Sequence, residues 1–115
     1  MITFEQLETE VRRLAAENPD KVYESFEGNC YYNPTERDGK PYEACIFGQA
    51  FANLGETVGR VCEGRAIDFV LAKKGVVVDQ YQRKDFWARE VQDGQDSGLP
   101  WSGAVARADR IFPLH

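Results

Sequence analysis

Apolar residues recur at helical spacing in three long stretches of this chain. Phe4, Leu7, Val11 and Leu14 mark one face of a helix over residues 3–17. Thr3 with Gln6 forms a capping box at its start. Glu5 and Glu8 lie in the first turns and Arg12 and Arg13 follow, the order that the helix dipole favours. Asn18-Pro19 ends the run. Phe86, Trp87 and Val91 mark a second helix over residues 83–96, broken by Ser97-Gly98-Leu99-Pro100. Trp101, Ala104, Val105, Ala108, Ile111 and Phe112 form the face of a last helix, with Pro100 suited to its first turn and Pro113 to its end. Two shorter periodic stretches lie between. Ile46, Phe47, Ala50, Phe51 and Leu54 predict a helix stopped by Gly55. Residues 65–74 predict another, with Lys73 and Lys74 at its C-terminal end, after a front weakened by Gly59 and Gly64. Val76-Val77-Val78 fits either a short strand or an extended connector.

The period changes between the first two helices. Residues 21–26, with Val22, Tyr23 and Phe26, read as a strand. Glu27-Gly28-Asn29 signals a turn and residues 30–32 a second strand. Residues 33–40 form a polar, breaker-rich loop, with Asp38-Gly39 as another hairpin tip. Residues 41–44 make a third short strand that leads into the helix at Ile46. Strands grouped at the front and helices behind them predict an α+β fold in one domain spanning residues 1–115: an N-terminal helix, a small two- or three-stranded antiparallel meander, and three to four helices packed on it. Such a meander cannot stand alone and must pack on helices. An apolar edge over residues 22–26 offers a pairing surface to a second copy, hence a homodimer.

Charge narrows the choice of partners. The net charge is −5. It is concentrated in residues 1–63, which hold 12 acidic and 6 basic side chains, whereas residues 64–115 hold 7 and 8. The acidic front argues against direct binding of nucleic acid or an anionic membrane and admits a basic partner surface. No apolar run approaches the length of a membrane span, and the first residues lack the basic and apolar regions of a signal peptide. The three cysteines, Cys30, Cys45 and Cys62, form no CxxC pair and suit a reduced, cytoplasmic setting.

Few residues combine into known chemistry. A structural zinc site needs four ligands, and the chain offers three dispersed cysteines and His115. No phosphate loop or dinucleotide fingerprint occurs, so neither metal nor cofactor is expected. Cys45 stands at a predicted helix N-terminus, where the dipole favours thiolate. It has no base in reach other than the terminal His115, which favours a small buried residue fastening helix to sheet; Cys30 and Cys62 read the same way. Paired carboxylates such as Asp93 with Asp96, or Glu24 with Glu27, need a cleft and a shifted pKa before they can act. No catalytic set emerges. Gly48 reads as a point of close helix packing, and Trp87 and Trp101 as anchors between the last two helices.

The strand tyrosines carry more weight. Neighbouring strand residues face opposite sides, so Tyr31 and Tyr32 cannot both face the core. At least one ring therefore lies on the open face or under a loop; an exposed one, with Tyr42 and the polar loop that holds Arg37, makes an interface. The candidate binding residues are therefore Tyr31, Tyr32, Arg37 and Tyr42.

One resemblance spans most of the chain. Arg13-Leu14-Ala15-Ala16-Glu17-Asn18-Pro19, then Cys45-Ile46-Phe47-Gly48-Gln49-Ala50 with Leu54-Gly55, then Val91-Gln92, Gln95-Asp96-Ser97-Gly98, Pro100-Trp101, Ala104-Val105 and Ala108-Asp109 resemble small proteins of actinobacteria and their phages, of the mycobacteriophage accessory type. The resemblance implies a small non-structural phage protein in the bacterial cytoplasm and brings no activity, cofactor or site residue. The expectation is a non-enzymatic protein that binds a host protein. The alternatives are an acidic DNA mimic that blocks a nucleic-acid-binding host protein, and a small thiol-dependent enzyme using Cys45.

Overall fold

The first helix, α1 (Phe4–Glu17), begins at the predicted capping box: the Thr3 hydroxyl accepts the Gln6 N–H and the Gln6 side chain accepts the Thr3 N–H. The computed structural model describes residues 2–24, 30–76 and 83–115. After α1 come two short strands, β1 (Thr35–Arg37) and β2 (Lys40–Tyr42), then α2 (Ile46–Asn53), a single 3-10 turn (Arg60–Cys62), α3 (Ile67–Lys73), α4 (Arg83–Asp96) and α5 (Trp101–Ile111). The class is α+β with an N-terminal helix, and helix dominates. Among the described residues no helix is long and apolar enough to cross a membrane.

The core lies between α1, α2, α4 and α5, and α4 and α5 make the most extensive contact. Phe4, Leu7 and Val11 of α1 are fully buried with Phe47 and Phe51 of α2 and with Trp87 and Trp101. Both tryptophans are thus the anchors that the sequence suggests. Polar pairing locks α1 to α5. The Arg12 guanidinium grips Asp109 with two parallel bonds of 2.8 Å each, and Trp87 Nε1 donates to the same carboxylate. This holds the Asp109 carboxyl below the usual carboxylate range, Arg12 being the main cause.

The middle of the fold is held by two glutamines of α4. Neither α2 nor α3 has a capping side chain of its own; Cys45 and Ala66 stand at their N-cap positions. Gln95 Oε1 accepts the Ile46 N–H at 2.7 Å, and Gln92 Oε1 accepts the Ile67 N–H at 2.8 Å. Each buried amide therefore satisfies a first-turn donor of another helix, which water cannot reach. Their NH2 groups face inward to Tyr32, Cys30 and Asp96.

The strand positions depart from expectation. Residues 21–24 form no sheet strand: Val22 makes one isolated bridge to Pro100 and is exposed, and Trp101 N–H donates to the Lys21 carbonyl. The edge proposed for pairing with a second copy is absent over those residues, and 25–29 lie outside the described ones. Residues 30–32 are not a strand either. Their polar groups are drawn elsewhere, the Tyr32 N–H to the Glu63 carboxylate and the Tyr31 carbonyl to the Cys45 N–H. The hairpin that forms is the one read at Asp38-Gly39: its first strand lies in the stretch read as a loop, and its second overlaps the third strand predicted over residues 41–44. Asp38 (φ 53°) and Gly39 (φ 78°) both take the left-handed conformation of a tight two-residue turn. That turn pairs Thr35 with Tyr42 and Arg37 with Lys40. The helix predicted over residues 65–74 is the shorter α3, because Gly64 at φ 76° lies outside helical geometry and Ala66 is extended. The expected stretch Val76–Val78 falls largely outside the described residues.

Candidate functional site

The hairpin and α2 enclose a cleft of about 700 Å³. The base of β2 and residues 43–44 form one wall, α2 the other, and Tyr32 to Pro34 close one end. Gly48 determines how near these parts come. A Cβ added there would lie 2.1 Å from the Tyr32 carbonyl oxygen and 2.7 Å from the Tyr32 Cα. Backbone thus rests directly on α2, as the packing role read for Gly48 requires.

Short side-chain bonds brace the walls. Asn33 Nδ2 donates to the Val58 carbonyl at 2.8 Å, and Gln49 Nε2 donates to the Ala44 carbonyl at 2.9 Å. Tyr42 is half-buried on the cleft, with the Lys40 ammonium 5.3 Å from its ring centre. Ala52 lies on the cleft on the exposed side of α2. The lining is mainly apolar and aromatic, with amides from Asn33, Gln49 and Asn53 and carboxylates from Glu43 and Glu56.

The four candidate residues separate into different places. Tyr32 and Tyr42 both line the cleft. Tyr32 is nevertheless only 1% exposed, and its hydroxyl points into the protein, donating to the Arg65 carbonyl at 2.5 Å and accepting from Gln92 at 2.7 Å. Burial pushes this phenol well above its ordinary pKa. Tyr31 is buried, and its N–H donates to the Tyr23 hydroxyl. The expectation that the two adjacent rings cannot both face inward fails, because the segment is not a pleated strand and buries both. Arg37 is exposed on the hairpin, beside its tip and off the cleft lining.

Sequence reasoning missed the buried polar cluster behind Tyr32. Gln92 and Gln95 continue the inward face of Ala88 and Val91 at helical spacing, so extending the periodicity past Val91 would have found them. Asp96 adjoins them. Burial, opposed by the Gln95 amide and aided by nearby Asp93, pushes its carboxyl up to about 6. Such a group favours folding when protonated. The penalty of its charge is absent below about pH 4, grows as pH rises, and is complete above about pH 6. Asp96→Asn keeps the oxygen that Gln95 bonds and removes the charge. It is expected to stabilise the protein by about 1–2 kcal/mol at pH 8 and to make no difference near pH 4, after allowance for solvent screening. Urea unfolding of both proteins at the two pH values measures this; equal differences at both would show that Asp96 ionises freely.

Cys45 is fully buried at the N-cap of α2, and its side chain makes no capping bond. His115 rests on Glu8, with Nε2 2.7 Å from the carboxylate. Among the described residues no group of three or more His, Cys, Asp or Glu side chains is placed to hold a metal ion. Compared with family models, characterised proteins and solved structures, the chain finds no match.

Proposed function

We propose that this chain is a small, non-enzymatic accessory protein of phage type that acts in the bacterial cytoplasm by binding a host protein, and that the partner enters the cleft between the hairpin and α2. The observation that carries the reading is the cleft itself. Its volume of about 700 Å³ suits a few partner side chains or a short segment. Its walls are braced before any partner arrives, so little ordering cost opposes binding. Tyr42 supplies a rigid amphipathic contact of the kind enriched at interfaces. The phage attribution rests on the sequence resemblance alone.

The DNA-mimic alternative finds less support. A mimic presents unneutralised carboxylates in rows, whereas Glu5, Glu10, Glu24 and Glu56 are each paired with Lys or Arg. The thiol-enzyme alternative needs an accessible nucleophile, and Cys45 is fully buried.

Ala52→Arg tests the reading by filling the cleft from an exposed helical position, where Arg is well tolerated. Its melting temperature is expected to stay within a few degrees of wild type. Whatever growth effect the wild-type protein has on expression in an actinobacterial host should disappear in the variant. Undiminished growth inhibition by the Ala52→Arg protein would place function elsewhere on the molecule.

A further inference from the structure

Two of the three cysteines lie on adjacent segments inside the fold. Cys30 and Cys45 are separated by 15 positions, yet the Cys45 thiol lies close enough to Cys30 to hold the Cys30 pKa up. The adjoining backbone fixes this meeting, because the Cys45 N–H donates to the Tyr31 carbonyl at 2.7 Å. Side chains of α4 fix it from behind: the Gln92 and Gln95 amides lie 3.6 and 3.9 Å from the Cys30 sulfur. Both cysteines are buried, at 6% and 0% exposure. Cys62 is also buried, in the 3-10 turn after α2.

We propose that Cys30 and Cys45 are a cross-linking site that a small disulfide such as glutathione disulfide converts into an intramolecular disulfide, while Cys62 stays a thiol. The chemistry balances in two exchanges. One thiol, as thiolate, attacks the glutathione disulfide, forming a protein–glutathione mixed disulfide and releasing one glutathione. The second thiol, as thiolate, then attacks the protein sulfur, the Cys30–Cys45 bond forms, and the second glutathione leaves. The protein loses two hydrogens, and one glutathione disulfide becomes two glutathiones. Closeness of the two segments makes the second step intramolecular and favours the closed product over the mixed disulfide. The neighbouring Cys45 thiol and burial raise the pKa of Cys30, so the first step waits on local opening and runs slowly. The bond would join the segment leading to Tyr32 to the start of α2. Both border the cleft, so oxidation would fix its end wall to its side wall.

The test incubates the folded full-length protein in glutathione buffers of graded oxidation until no further change occurs, then alkylates it under denaturing conditions. Mass spectrometry of the oxidised end of the series is expected to show a loss of two hydrogens, two of three thiols blocked, and a peptide pair joining Cys30 to Cys45. The melting temperature should rise by several degrees and fall back with dithiothreitol, as expected for closing a loop of this length. A Cys62→Ser protein should give the same cross-link, which makes the test independent of variants at the two core cysteines. Three free thiols at every ratio would overturn the proposal. So would a glutathione adduct without closure, a bond that includes Cys62, or a cross-linked product that melts below the reduced protein.

Discussion

A chain carrying Gly48→Ala is expected not to reach the native fold at 25 °C. Alanine is ordinarily the better helix residue, worth about 1 kcal/mol over glycine in a helix interior. Here that gain is overwhelmed. The new methyl would lie 2.1 Å from the Tyr32 carbonyl oxygen and 2.6 Å from its carbon, and both are backbone atoms. No rotamer change relieves such a contact. The segment holding Tyr32 is tied through its N–H to Glu63 and its hydroxyl to Arg65, so it cannot move off without breaking those bonds. A cost above about 4 kcal/mol follows, a large share of the roughly 5–15 kcal/mol that stabilises a domain. Near-ultraviolet circular dichroism should lose its aromatic signal. Gly59→Ala is the control: Gly59 has φ −71° and an added Cβ meets nothing, so that protein should melt near wild type. A native spectrum and melting temperature for Gly48→Ala would show that α2 and the Tyr32 segment do not touch as described.

Gln95→Met is expected to cost about 2–3 kcal/mol and to lower the melting temperature by on the order of 10 °C. Methionine fills a similar volume, so packing changes little. What is lost is the acceptor for the Ile46 N–H, a donor in the first turn of α2 with no capping side chain to replace it. Gln95 is fully buried, which keeps water from taking its place. Gln49→Met provides the contrast. Its amide also bonds a backbone group, the Ala44 carbonyl, but the residue is half-buried beside an open cleft, and water can substitute. A loss below about 1 kcal/mol is expected there. Urea unfolding of the two variants side by side decides the matter. Equal small losses would mean that α4 does not hold α2 through this bond.

Periodicity made the helices legible because α1, α4 and α5 each bury a stripe against a shared core, although the α5 stripe ends at Ala108 and leaves the expected Ile111 exposed. The capping box at Thr3 and the turn at Asp38-Gly39 were legible as well, since both act through neighbours in sequence. The strands expected before that turn were not. Tyr23, Tyr31 and Tyr32 have strand-like chemistry, but tertiary partners claim their polar groups: the Tyr31 N–H and the Tyr23 hydroxyl bond each other, and α4 binds the hydroxyl of Tyr32. Propensity cannot anticipate a glutamine arriving from 60 residues away. The same holds for the cleft. Tyr32, Tyr42 and Gly48 could each be singled out from the sequence, but their convergence depends on how that hairpin and the Tyr32 segment pack on α2.

Capture from bacterial lysate tests the cleft most directly. Wild-type protein, Ala52→Arg and Ala106→Arg, the last an exposed position on α5, are immobilised in equal amounts. The same host protein should be retained by wild type and Ala106→Arg and reduced at least tenfold on Ala52→Arg. Equal retention by all three, or no specific retention by the wild type, would contradict the assignment of the cleft as the binding surface.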